Sequence, residues 1–156
     1  MPKLDIALTE GELDAFLNEQ RTVRLATAGL MGPQVVPLWF VWFDGSMFMN
    51  TTLGNRTVVN LADDPRAAAT VDDGFDYDTL RGTVLRGPVL VGPDDPRLDE
   101  VRGRWSAKYL NGNPVPFDLW KNRVWLRLDP QDLASWDFRK VPSARSRRDA
   151  QRGGER

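Results

Sequence analysis

"QVVPLWFVWFDGSMFMNTT", Gln34 to Thr52, is two apolar arms joined by Asp44-Gly45. Such a dipeptide accepts positive φ at both central turn positions, so the arms read as an antiparallel hairpin. Pro37 removes a ladder donor from the first arm, which makes it an edge, a bulge or a place where a ligand takes over from a neighbouring strand. That arm is also apolar on both sides, because Trp39 and Trp42 stand three apart and project to opposite faces of one strand. A single-layer barrel buries one face only. The other must be covered by a partner subunit, a planar ligand or one of the helices.

Outward from the hairpin the chain alternates strands with few helices. Upstream, Thr9 and Glu12 form a capping box, and Leu13, Phe16 and Leu17 recur at helical spacing, so a helix spans about Thr9 to Glu19. "TVRLATAG" follows as a strand. Downstream, "RAAATVDD" and "TLRGTVLRGPVLVG" read as two more strands, the second bent at Gly82, Gly87 and Pro88 as around a barrel corner. A further helix runs from Asp94 or Asp95 to about Leu110, with Leu98, Val101 and Trp105 on one face, until "NGNPVP" breaks it. "RVWLRL" and "LASWDF" are the last strands. Six to seven antiparallel strands with two or three short helices predict a mainly β chain, a small antiparallel barrel.

Composition removes much chemistry. The 156 residues, 41 % of them apolar, suit one domain over residues 1–140 that folds alone or as a symmetric oligomer. From Arg139 to Arg156 there are seven basic and two acidic residues, and residues 141–156 lack periodicity and read as a disordered basic tail. The preceding 138 residues hold 14 basic and 20 acidic side chains, a net −6, so no nucleic-acid face is expected. Neither a signal peptide nor a run of eighteen apolar residues is present, which predicts a cytoplasmic protein away from membranes. With no Cys and no His there is no Ser-His-Asp triad, thiol centre, ordinary zinc site or histidine-ligated haem. Asp72, Asp73, Asp76 and Asp78 lack the spacing of a calcium loop and read as a solvated turn, so no metal is expected. Which residue is catalytic is left open.

The hairpin runs into "NTTLGNRTVVNLADDPR", Asn50 to Arg66. If Asn55 caps a helix, the amides of Arg56, Thr57 and Val58 face outward at its positive end, a ready anion site. Thr51 and Thr52 would add hydroxyls, and Arg56 a fork matching two phosphate oxygens. The plainer alternative is an ordinary turn with Val58, Leu61 and Ala62 packed inward and Arg56 solvated.

Taken together, "VRLATAGLMGPQVVPLWFVWFDGSMFMNTTLGNRTVVNLADDPRAAATVDD" and "TLRGTVLRGPVLV" resemble the pyridoxamine 5′-phosphate oxidase-like family of split β-barrel flavin and deazaflavin proteins. The shared order is strand L-A-T, glycine turn, P-x-V-V-P, D-G, a hydroxyl-bearing strand end and N-L-x-x-x-P-R, covering about Val23 to Val91. The resemblance implies a homodimer of split barrels with FMN or F420 bound at the interface. It places Val36, Pro37, Leu38 and Trp39 beside the tricyclic ring, and Thr51, Thr52, Asn55, Arg56 and Thr57 around the phosphate. Many relatives carry lysine where this chain has Thr57, so Arg56, one residue earlier, is expected to take over the cationic role.

The implied function is oxidoreductase: hydride transfer between bound FMN or F420 and a small organic substrate. Alternatives are pyridoxamine 5′-phosphate oxidation, which asks for a second phosphate site, and a non-catalytic flavin-binding protein. Substrate-pocket loops are expected around Gly74–Thr79 and Asn111–Phe117.

Overall fold

A computed structural model describes residues 4–141. Asp44 and Gly45 take φ of 50° and 73°, and the turn they make closes β3 (Phe40–Phe43) onto β4 (Ser46–Thr52), with Phe43 opposite Ser46. The first arm, however, is two strands rather than one. β2 (Gly32–Leu38) pairs with β1 (Val23–Gly29) across a turn at Leu30-Met31, and the hydrogen bonding changes partner at Trp39. The division brings the count to eight strands instead of six or seven. Backbone groups at the break are met by side chains: the Phe40 amide donates to Tyr109 Oη at 3.1 Å, and Lys108 Nζ donates to the Phe40 carbonyl at 3.2 Å.

The remaining strands are β5 (Arg66–Asp73), β6 (Arg81–Val91), β7 (Arg123–Leu128) and β8 (Asp132–Asp137). All pairings are antiparallel, in the order β2-β1-β5-β6-β7-β4-β3, with β8 also on β6. The two ends of that order, β2 and β3, are consecutive in the chain, so the sheet curls into a split barrel. β2 is an edge, which is where a Pro37 without an amide proton is tolerated. β6 pairs with β5 and β8 up to its bend and with β7 from Val89 onward. At the bend a Cβ on Gly87 would collide with the Asp129 carbonyl oxygen, so glycine is required there.

Three α-helices complete the described chain: α1 (Glu10–Glu19), α2 (Arg56–Asp63) and α3 (Leu98–Tyr109). The capping box of α1 forms as expected, and Leu13, Phe16 and Leu17 are buried. α3 starts later than the sequence suggests, because Asp95 is drawn into ion pairs with Arg97 and Arg127 instead of capping the helix. Inside the barrel, Phe40, Trp42, Met47, Met49, Leu126 and Leu128 meet Phe16, Leu25 and Leu85. A second cluster lies between the sheet and α3, where Val41, Phe48 and Trp125 pack on Val101 and Trp105. The hairpin is therefore apolar on both sides because its own chain covers both. Trp42 is capped by α1, its Nε1 donating to Asp14 at 2.7 Å. No described helix is long and apolar enough to cross a membrane. The expected basic tail, apart from Val141, lies outside the described residues.

Candidate functional site

α2 is seated by the motif that follows the hairpin. Asn60, buried at 1 % exposure, donates from Nδ2 to Thr27 Oγ1 on β1 at 3.2 Å. Its side chain fills the space above Gly29, where a Cβ would stand 2.5 Å from Asn60 Oδ1. Leu61 enters the core, and the Pro65 carbonyl accepts from the Val89 amide at 2.8 Å. The Asn-Leu and Pro-Arg residues thus anchor the helix, and its N-terminus is left to meet solvent.

That N-terminus is capped as the sequence predicts. Asn55 Oδ1 accepts from the Val58 amide at 3.0 Å, and its Nδ2 donates to Thr51 Oγ1 at 2.8 Å. Val58 is consequently spent on the cap, a correction to the expected trio of outward amides; those of Arg56 and Thr57 remain at the positive end of the helix. The Arg56 side chain is exposed and pairs with no described residue. Arg66, by contrast, is tied to Asp64 at 2.7 Å. Thr57 is buried at 2 % exposure, so Arg56 is the cation this turn presents outward.

Beside it lies a cleft of about 350 Å³ lined by Pro37, Leu38, Trp39, Asn50, Trp105, Leu110, Pro116, Phe117, Trp120 and Arg123. β4 and β7 set its floor: Asn50 opposes Trp125 and Thr52 opposes Arg123. Arg123 donates from Nε to Asn50 Oδ1 at 2.8 Å and reaches Thr52 Oγ1 at 3.4 Å. No described carboxylate pairs with it, and burial pulls its pKa below the usual arginine value. Its guanidinium stands over the Phe117 ring at 4.8 Å and near Trp120 at 6.0 Å. On the opposite wall Trp39, 46 % exposed, stacks on Tyr109 with centroids 4.3 Å apart and planes at 4°. Burial raises the Tyr109 hydroxyl to about 12, so it stays protonated and donates to the Arg21 carbonyl at 2.7 Å.

The expected residues divide between these two features. Pro37, Leu38 and Trp39 line the cleft, whereas Val36 packs against the barrel core. Thr51, Thr52, Asn55, Arg56 and Thr57 gather at the start of α2, with Thr52 linking the two through Arg123. Of the two expected pocket loops, 111–117 supplies Pro116 and Phe117, while 74–79 lies away from the cleft, Tyr77 resting near Phe138. Asp72 and Asp73 are engaged by Arg24 and Arg81. Sequence reading missed Asn50, Arg123, Trp105 and Trp120. The available signal was Arg123 itself, a cation alternating with Trp125 on the face of β7 that an apolar helix covers.

Comparison with known proteins agrees with this architecture. The model of the family described as pyridoxamine 5′-phosphate oxidase matches residues 9–137. A conserved hypothetical protein of Mycobacterium tuberculosis superposes with a TM-score of 0.78 at 30 % identity, over 90 % of this chain and 92 % of that one. A FAD-binding protein from Mesorhizobium loti gives 0.63 at 20 % identity, covering 83 % and 94 %. A solved F420 reductase gives 0.60 at 24 % identity, covering 81 % and 98 %. None of the curated proteins compared matches the chain.

Proposed function

The chain belongs to the pyridoxamine 5′-phosphate oxidase family, and from that premise we propose that it is a homodimeric oxidoreductase using FMN or F420 on a small organic molecule. The observation that carries this reading is Arg56, an exposed cation without an acidic partner among the described residues, set at a capped helix start. Its guanidinium, the Arg56 and Thr57 amides and the Thr52 hydroxyl would hold a phosphate. Pro37, Leu38 and Trp39 would flank a tricyclic ring. When bound, such a cofactor supplies the hydride donor or acceptor. Among the described residues, the cleft-lining side chains include no carboxylate, histidine, thiol or lysine, so the part proposed for the chain itself is to bind, orient and exclude water. Solved proteins of like fold that are named for FAD binding and F420 reduction support a cofactor of the flavin or deazaflavin type.

A second copy would have a surface to cover. Val35, 63 % exposed, sits beside Ala26, which sits beside Ala68, on the outward face of β2-β1-β5. Ala26 and Ala68 line part of a groove of about 480 Å³.

Calorimetric titration of FMN and of F420 into the purified chain tests the reading. One of the two should bind, one per chain, with the yellow colour of flavin if it is FMN. Binding of neither would remove the cofactor assignment. A cofactor that binds but whose oxidation state never changes the protein's ligand affinity or turnover would favour the flavin-binding alternative.

A further inference from the structure

The cleft beside α3 carries more donors than the chain uses. Asn50 is buried at 4 % exposure, and its Oδ1 is occupied by Arg123 Nε, which turns Nδ2 away with no partner. Trp105 Nε1 is also buried and unpartnered. Arg123 has five N–H groups, and its other two contacts, to Thr52 Oγ1 at 3.4 Å and the Asn50 carbonyl at 3.5 Å, are long. No described carboxylate lines the cleft. Arg127, further along the same face of β7, shows the contrast, since it is neutralised by Asp95 and Asp129. Buried donors left unmet are costly, and a half-buried guanidinium without a counter-charge more so.

We propose that this cleft binds an aromatic monocarboxylate. The carboxylate pairs with the free N–H groups of Arg123, where one guanidinium balances one negative charge and its fork fits two carboxylate oxygens. The ring lies against Trp39, Phe117 and Trp120, the last 51 % exposed at the mouth. A dianionic phosphate suits the site less well, because a single cation leaves one charge buried and unbalanced. Pro37, Leu38 and Trp39 are the residues assigned to the cofactor ring, so the acid would lie next to it. Its role as substrate rests on the oxidoreductase reading; its binding does not.

The test is calorimetry on the full chain with 2-naphthoate and its neutral analogue 2-naphthamide. The acid should bind at least tenfold more tightly than the amide. Arg123→Gln should raise the Kd for the acid tenfold or more, and Arg123→Lys should recover part of the loss. Trp120→Ala, at an exposed position, should weaken binding severalfold with an unchanged Tm, so the proposal stays testable even if the Arg123 variants fold poorly. Arg56→Ala should leave the acid's Kd within about twofold. Equal affinity for acid and amide, or wild-type affinity in both Arg123→Gln and Trp120→Ala, would overturn the proposal. Retained 2-naphthoate binding with neither FMN nor F420 bound would overturn the cofactor reading alone.

Discussion

Arg56 and Arg123 differ in what surrounds them, and the difference separates the roles proposed for them. Arg56 stands in water at a helix start, so its attraction for an anion is screened but its two neighbouring amides point the same way. A charge-assisted contact of this kind contributes about 1.5–3 kcal/mol, and about 1.4 kcal/mol is tenfold in affinity. Arg56→Ala should therefore weaken FMN or F420 binding by about tenfold to a hundredfold in calorimetry while moving stability by less than about 0.5 kcal/mol. Arg56→Lys should restore part of the affinity, and Arg66→Ala, whose arginine is held by Asp64, should change it little. A wild-type Kd for Arg56→Ala with both cofactors would reject the phosphate assignment. The exposed setting of Arg56 at a capped helix start was legible, because capping residue, hydroxyls and cation are all local in sequence. Arg123 was not, since what singles it out is the absence of an acid nearby, a fact of tertiary structure alone.

At the level of elements, α3 is fastened at its start by Asp95, whose side chain is only 3 % exposed. Its carboxylate accepts from Arg97 and, at 2.9 Å, from Arg127 on β7, while Arg97 also donates to the Asp44 carbonyl in the β3-β4 turn. Helix, strand and turn meet at one carboxylate. Hydrogen bonds from Arg97 first, then Arg127, hold its pKa well below the usual carboxylate range against the opposing pull of burial. The folded pKa lies below the unfolded one, so the stabilisation is complete above the ordinary aspartate value of about 3.9 and fades as pH falls through and below it. Asp95→Asn should cost about 3 kcal/mol at pH 7. The gap between variant and wild type, measured by urea unfolding, should narrow as pH drops from 5 toward 3; a constant gap would contradict it. Sequence reading placed α3 by its apolar face and took Asp95 as helical, because the arginine from β7 that claims it is 32 residues away. It read β5 and α1 well, where strand pattern and capping box are self-contained, and it merged β2 with β3, where the apolar pattern continues but the pairing partner changes.

On the scale of the molecule, both faces of the β3-β4 hairpin are covered within one chain, so the proposed dimer would rest on other surface. The outward face of β2-β1-β5, with its groove and exposed Val35, is the surface to test. An obligate interface there should bury more than roughly 2,000 Å². Light scattering at micromolar concentration should report about twice the 17.6 kDa chain mass, and Val35→Glu should shift the mass toward one chain. A wild-type monomer would remove any site that needs two subunits. The junction at Trp39 carries a different consequence. Val36, Leu38, Phe40 and Trp42 all pack toward the barrel interior, so even-numbered residues point inward on both sides of a joint where every hydrogen-bond partner changes. The molecule is thus a frame-preserving splice, two hairpins joined without loss of parity. Because strand side chains alternate with period two, inserting one residue after Trp39 would turn Phe40 and Trp42 outward or strain both hairpins, whereas inserting two would keep the frame. The single insertion should abolish cooperative thermal unfolding, and the double insertion should retain it at a lower Tm; natural length variation at this joint is accordingly expected in steps of two.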